Sequence, residues 1–447
     1  MPERTPVFAA GGGALATRAL ELLLDAGANQ GRVILRRERR VEVRTRQGRV
    51  EKLEQASRAT LRLSLFVDGR FSQQETSDLR LEPLRQFIQE GVHATRLLTP
   101  DPHRLLPPLE RCRPLPLDDL QLFDPAIPTL TPEVRRDRAL QLEQLAREAT
   151  GKSLRSASAT WGDQISETVL VQSNGTGAQE KRTSCYALAE VSVDDPAGRR
   201  PEGWWYAETR HLDDLPSDRE IALTAAQRGL AQIGARPAPT ARTKVLVEAP
   251  AAGTLLNHLL RALDGVQVQQ ERSFLAGRLG QTVGSRSWSL GDRPLLPRSL
   301  GGRSFDGEGM VARPFPVLEE GVLRSFFLDT TYASKLGLTA TTGGPSNLVL
   351  EPGRLSRAEL LARLGDGLLI TGFLGGNANV TTGDFSLGIV GQEVSRGRLA
   401  GPVASSNLSG NLATLLQNLA EVGNDTYRWS AIRRPSLLFT DLQVSGR

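Results

Sequence analysis

A two-residue alternation recurs in the first half of this chain and limits what it can fold into. Val41-Glu42-Val43-Arg44-Thr45-Arg46 changes polarity at every step. Ala59 to Val67 does the same, with Leu61, Leu63 and Leu65 on one side. A period of two sends successive side chains to opposite faces of an extended backbone, so these runs suit strands with one covered face. Arg32 to Leu35 is short and β-branched and reads as a further strand. Gln47-Gly48 and Asp68-Gly69 fall where hairpin turns are needed. Ile165 to Gln172 and Lys181 to Val193 repeat the pattern around the turn Ser173-Asn174-Gly175. A meander of antiparallel strands is the economical outcome.

Helical spacing marks residues 14–29, through Ala19, Leu22, Leu23 and Ala26. Ser77-Asp78 caps a second predicted helix running through Leu84, Phe87, Ile88 and Val92. Nine prolines between residues 99 and 132 make that segment irregular. A helix from Pro132 to about Thr150 follows, with proline suited to its first turn. Another runs from Ser217 to Gly234 and is broken by Arg236-Pro237-Ala238-Pro239. Beyond it glycine is dense, and helical spacing is confined to 252–264, 356–364 and 411–422. Phe315 to Leu318 and Val322 to Leu328 form a hairpin across Glu319-Glu320-Gly321. The predicted class is α+β. Residues 1–216 form an N-terminal antiparallel sheet with flanking helices, and 217–447 a largely antiparallel β domain with few helices.

The 447 residues include four His and two Cys, which excludes a disulfide framework and a Cys- or His-rich zinc module. The net charge is +5, and the pI near 9.5 reflects arginine in preference to lysine. Arg36-Arg37-Glu38-Arg39-Arg40 continues into the alternating run and reads as a strand with one solvated face. No aromatic residues interleave with these charges, so direct nucleic-acid binding is not expected. Met1 to Pro6 lacks a signal-peptide pattern, and no run reaches the 18 or so apolar residues of a membrane span. The expectation is a cytoplasmic protein with Cys112 and Cys185 reduced.

Chemistry-bearing motifs are few. Gly151-Lys152-Ser153 lacks the earlier glycine of a phosphate loop, having Ala146 there. Gly372 to Gly376 and Gly301-Gly302 lack a strand–loop–helix dinucleotide context. No Gly-x-Ser-x-Gly elbow precedes a helix. His93, His103, His211 and Cys112 read as structural. His258 lies in Thr254-Leu255-Leu256-Asn257-His258-Leu259-Leu260-Arg261-Ala262-Leu263, which has helical spacing. A zinc hydrolase sets two imidazoles one turn apart with a carboxylate beside them. Here Leu259 follows His258 and Ala262 stands four residues on, so neither second ligand nor base is present.

At this helix the chain resembles the TldD/TldE (PmbA) family, also described as modulators of DNA gyrase. The resemblance covers nearly the whole chain. It includes Val41 to Glu51, Phe66-Val67-Asp68-Gly69-Arg70 and Thr76-Ser77-Asp78-Leu79. Phe305-Asp306-Gly307-Glu308-Gly309, Glu320-Gly321-Val322-Leu323 and Leu328 to Gly337 follow, then Thr382-Gly383-Asp384-Phe385-Ser386. Gly410-Asn411-Leu412 and Gly423-Asn424-Asp425 complete the set. Each motif is weak alone; their order and number are specific.

The resemblance implies a two-subunit peptidase. In the TldD-like branch a helical His-Glu-x-x-x-His and a C-terminal cysteine bind zinc; the TldE-like branch lacks them and pairs with the first. On this chain the three helix positions fall on Asn257, His258 and Ala262, and no cysteine follows Cys185. A register shift of one residue substitutes Leu259 and Leu263 and fails equally. The chain is therefore expected to bind no zinc itself. It would act as the non-catalytic subunit beside a zinc-bearing TldD-like partner, with unfolded or short peptides as substrate. Its N-terminal domain would bind peptide and partner. His258, Asp306, Glu308 and Asp384 are candidate chamber-lining residues. Two alternatives stand: a stand-alone homodimeric peptide-binding adaptor, or an enzyme whose metal is held by Asp306, Glu308 and Asp384.

Overall fold

The structure, a computed structural model, describes residues 11–113 and 120–446. Met1 to Pro6, Pro114 and Pro116 of the sequence reading lie outside them.

In chain order the N-terminal half contains α1 (Gly12–Asp25), β1 (Gln30–Arg46), β2 (Arg49–Val67) and β3 (Arg70–Thr76). Then come α2 (Leu81–Thr95), the one-turn α3 (Leu109–Cys112) and α4 (Pro132–Thr150). It ends with β4 (Leu154–Gln172), β5 (Gly177–Val193), β6 (Glu202–Thr209) and α5 (Asp218–Leu230). The six strands form one antiparallel sheet in the order β3-β2-β1-β4-β5-β6. Both expected hairpin turns are present. Gln47 and Gly48 have φ of 55° and 70°, and Asp68 and Gly69 have 49° and 73°, a pair of positive values matching the twist of the flanking strands.

The two short strands expected around residues 32–46 are one. β1 pairs with β2 from Gln30↔Phe66 to Arg46↔Arg49, and with β4 from Arg32↔Gln172 to Arg46↔Ser158. The charged run in its middle does not sit on a simple solvated face. Arg37 and Arg39 share the face of Val33, Leu35, Val41 and Val43, all buried. Arg37 reaches Glu167 at 3.6 Å and Arg39 reaches Asp163 at 4.0 Å. Acids on the neighbouring strand draw both inward.

Helices cover that face as two packed groups. α1 and α2 lie on Val33, Leu35, Leu61, Leu63 and Leu65. α4 and α5 lie on Val43, Ala159, Trp161, Ala187 and Ala189. Thr131 caps α4 by accepting from the Val134 amide. The expected cap at Ser77-Asp78 falls elsewhere: α2 starts after Arg80, which has no side-chain cap, and Asp78 accepts from the Arg80 amide instead. Between the two groups Arg135 of α4 makes a two-pronged pair with Asp163 of β4, at 2.5 and 3.1 Å, both residues almost fully buried. α5 crosses β6 at backbone contact. A Cβ on Gly203 would stand 2.1 Å from the Gly229 nitrogen and 2.3 Å from the Ala225 oxygen.

The C-terminal half opens with β7 (Ala241–Val247), α6 (Ala249–Ala262), α7 (Gly265–Gln269) and β8 (Leu290–Asp292). β9 (Phe315–Glu319), β10 (Val322–Leu323), α8 (Thr330–Leu336), β11 (Leu348–Leu350) and α9 (Arg357–Leu364) follow. Next are β12 (Gly367–Ala378), β13 (Asp384–Ser395), β14 (Arg398–Asn411) and α10 (Leu412–Gln417). β15 (Leu419–Val422), β16 (Ile432–Arg433) and β17 (Leu437–Ser445) complete it. The helix expected over 411–422 is thus a short α10 and then a strand. β9 and β10 form the expected hairpin, but its second strand ends at Leu323 and does not reach Leu328. Strands β14, β13, β12, β7 and β17 bond in sequence, and β14 pairs with β17 to close the ring. Pairing is mostly antiparallel, with β7–β12 and β11–β16 parallel. Val245, Val247 and Ile370 face the main core with α6, while Leu246, Leu369 and Leu438 face outward under α9.

Two outcomes follow for stability. Gly203→Ala should destabilise by about 3 kcal/mol or more, because the methyl meets backbone that cannot rotate away. A denaturation midpoint within error of the parent would contradict this contact. Asp163→Asn should cost about 3–5 kcal/mol by stranding Arg135, whereas the double change Arg135→Met with Asp163→Leu should cost less than the single one. Chemical denaturation of the three chains measures the difference.

Candidate functional site

Helix α6 leaves β7 through Glu248, and Pro250 sits in its first turn. Gly253 is small because Arg434 lies against it: a Cβ there would be 2.7 Å from the guanidinium. Arg434 donates to the carbonyls of Ala249, Pro250 and Ile432. Burial pulls its pKa down to about 10. One side of α6, with Ala252, Leu255, Leu256, Leu259 and Ala262, belongs to the core.

Asn257 is exposed and His258 half-buried on the other side. Ala262, one turn past His258, is 0% exposed and packed in the core. Burial lowers the His258 pKa, and the Arg261 guanidinium lowers it further. An imidazole ready to hold a divalent cation is served by nearby carboxylates; on this helix the charged neighbour acting on His258 is a cation.

Asp306 and Glu308 come together in a tight turn. Asp306 Oδ1 accepts from the amides of Glu308 and Met310, at 2.9 and 3.0 Å. Gly309 has φ +80°, and a Cβ there would strike the Gln172 amide, which donates to the Glu308 carbonyl at 2.6 Å. Glu308 Oε2 accepts from the Thr330 amide and hydroxyl, both at 2.7 Å. Burial pushes both carboxyls above the ordinary carboxylate range. The two residues line one cavity of about 350 Å³, shared with Arg32 of β1 and Arg303.

Asp384 lies elsewhere, exposed at the start of β13. It accepts from Asn411 at 2.9 Å and Thr382 at 2.7 Å, and these bonds hold its pKa below the usual value. It clasps a strand end. Of the four candidate residues, the structure brings together only Asp306 and Glu308. His103 bonds Ser334 and His211 bonds the Gln121 carbonyl, at 2.8 and 2.7 Å. Cys112 and Cys185 are buried, and burial pushes the Cys185 thiol up to about 12, far from a reactive thiolate.

A larger cavity of about 640 Å³ opens at the head of α6. Trp205, Tyr427 and Trp429 form its aromatic wall, ring centroids 5.4 to 6.0 Å apart in edge-on packing. Glu248, just before α6, pairs with Arg228 and with Arg357 at 3.2 Å. The indole nitrogens of Trp205 and Trp429 are buried without a hydrogen-bond partner. Trp204, Trp205 and Tyr206 are consecutive in the sequence, which carries no local sign of the convergence of Trp205 with Tyr427 and Trp429.

Comparison with known proteins agrees with this architecture. Residues 125–233 match the PmbA/TldA metallopeptidase central domain, and residues 240–446 match the PmbA/TldA metallopeptidase C-terminal domain. The chain is 26% identical to metalloprotease PmbA of Escherichia coli O157:H7, over 91% of this chain and 90% of that one. A protein of Bacteroides thetaiotaomicron described as a modulator of DNA gyrase has a solved structure with 33% identity. It covers 98% of this chain and 100% of its own, with a TM-score of 0.93. TldE of Thermococcus kodakarensis, at 20% identity and TM-score 0.85, shares the fold over 97% of this chain and 100% of its own. This chain belongs to the PmbA/TldD/TldE metallopeptidase family.

Proposed function

We propose that this chain is the non-catalytic, TldE-like subunit of a two-chain zinc metallopeptidase acting on unfolded or short peptides. The observation that carries the reading is the composition of α6. Its three family positions hold an exposed Asn257, a half-buried His258 beside Arg261, and an Ala262 locked in the core. A water-activating zinc site needs several ligands and a base, and this helix supplies one imidazole. The zinc would then reside in a TldD-like partner, and this chain would complete the chamber.

Two features support a role in holding peptide. The aromatic cavity at the head of α6 offers large apolar faces. β2 also carries an open edge. It pairs with β1 throughout but with β3 only from Leu61 to Val67, and Arg49 to Arg58 are all exposed. An extended peptide can add to such an edge through main-chain hydrogen bonds, with little sequence preference.

The purified chain should hold well under one zinc per molecule by metal analysis and leave an unstructured peptide intact. With a zinc-bearing TldD-like subunit it should form a mixed dimer by size measurement and support cleavage. Stoichiometric zinc on the lone chain that is lost in His258→Ala would sink the proposal. A self-paired chain that binds peptide and ignores the zinc-bearing subunit would favour the adaptor reading.

A second prediction concerns restoration. Asn257→His with His258→Glu and Ala262→His recreates the ligand spacing, yet residue 262 has no room. The added imidazole should destabilise the fold by about 1–3 kcal/mol and leave zinc affinity weak. Thermal melts and zinc titration of the triple variant decide this; tight zinc binding with an unchanged melting temperature contradicts it.

A further inference from the structure

The cavity beside Asp306 and Glu308 contains buried polar atoms without protein partners. Arg32 is 7% exposed, and its Nε and Nη1 have no hydrogen-bond partner among the described residues. Glu308 Oε1 stands 3.8 Å from Nη1, an ion pair beyond hydrogen-bonding distance. Asp306 is 6% exposed; its Oδ1 is committed to the turn, and besides the turn amides the carboxyl has the Thr342 hydroxyl beside it, which leaves Oδ2 with an open acceptor position. The Thr342 hydroxyl accepts from Arg303 at 2.9 Å and lies 3.3 Å from the Gly344 carbonyl. Arg303 Nε is unpartnered as well.

These atoms define what fits. The lining brings Arg32, Arg104 and Arg303 against Asp306, Glu308 and Asp329, so its formal charge balances. A bare anion or a bare cation would upset that balance. A neutral molecule with a separated acceptor and donor preserves it and satisfies both Arg32 and Asp306 Oδ2. Phe66 and Phe71, centroids 5.0 Å apart, give the cavity an apolar wall, and the Arg104 guanidinium lies 4.8 Å from the Phe71 ring. The volume, about 350 Å³, falls in the small-ligand range.

We propose that this cavity binds a zwitterionic α-amino acid with an apolar side chain. The carboxylate docks on Arg32, the ammonium on Asp306 Oδ2, and the side chain against Phe66 and Phe71. The inference does not rest on the subunit reading, because it is tested on this chain alone.

Calorimetric titration of the full chain uses three probes: L-phenylalanine, phenethylamine without the carboxylate, and 3-phenylpropanoate without the amine. Phenylalanine should bind one per chain, with each half-molecule at least tenfold weaker. Arg32→Met should lose at least tenfold affinity for phenylalanine and leave phenethylamine unchanged. Where that variant fails to fold, Asp306→Asn keeps the Oδ1 acceptor. It should weaken phenylalanine at least tenfold without changing 3-phenylpropanoate. No binding of phenylalanine, or equal binding of 3-phenylpropanoate, overturns the proposal.

Discussion

The junction between the two halves depends on guanidinium groups that reach backbone carbonyls across it. Arg210, at the end of the N-terminal sheet, donates to Thr183 on its own side and to Ser299 and Leu300 on the other. Arg111 donates to Ala340 at 2.7 Å, and Arg228 to Thr371 at 3.0 Å. Only five of the 55 basic residues are lysine. A planar fork with five N–H donors can serve several fixed carbonyls at once, which a single ammonium on a flexible stem does less well. The cost shows in Arg210, whose pKa burial pulls down to about 10. Both cavities lie along this junction and take walls from each side of it.

Much of the fold was legible in local pattern. Leu61, Leu63 and Leu65 are each fully buried on one face, and α4 spans Pro132 to Thr150 as its spacing and first proline indicate. What failed did so where distant partners decide. The charged middle of β1 looked like a break or a wet face, but Asp163 and Glu167 on β4 supply the charges that keep it in the sheet. Residues 411–422 have helical spacing, yet β17 offers Leu419–Val422 a ladder to join. Asp306 and Glu308 could be singled out by motif. Arg32, more than 270 positions away in sequence, could not be linked to them, because only the folded chain sets β1 beside that turn.

The family fold and the chemistry of α6 separate cleanly here. The proline entry and the buried face of α6 both serve packing. Its outward positions, Asn257 and His258 among them, are free of that duty. Ala262, one turn further on, lies in the core. The packing of such a helix does not by itself fix the chemistry of its exposed face.

The ring of five strands has a consequence in time. Its closing strand, β17, is the last in sequence, and it sits between β7, the first of that half, and β14. Until residues 437–445 are synthesised, β7 and β14 each have one edge unpaired, with β12 and β13 on their other sides. This half of the molecule cannot be completed piecemeal from its N-terminal end. Closing this ring requires its last strand in sequence, whereas the N-terminal sheet is complete at β6.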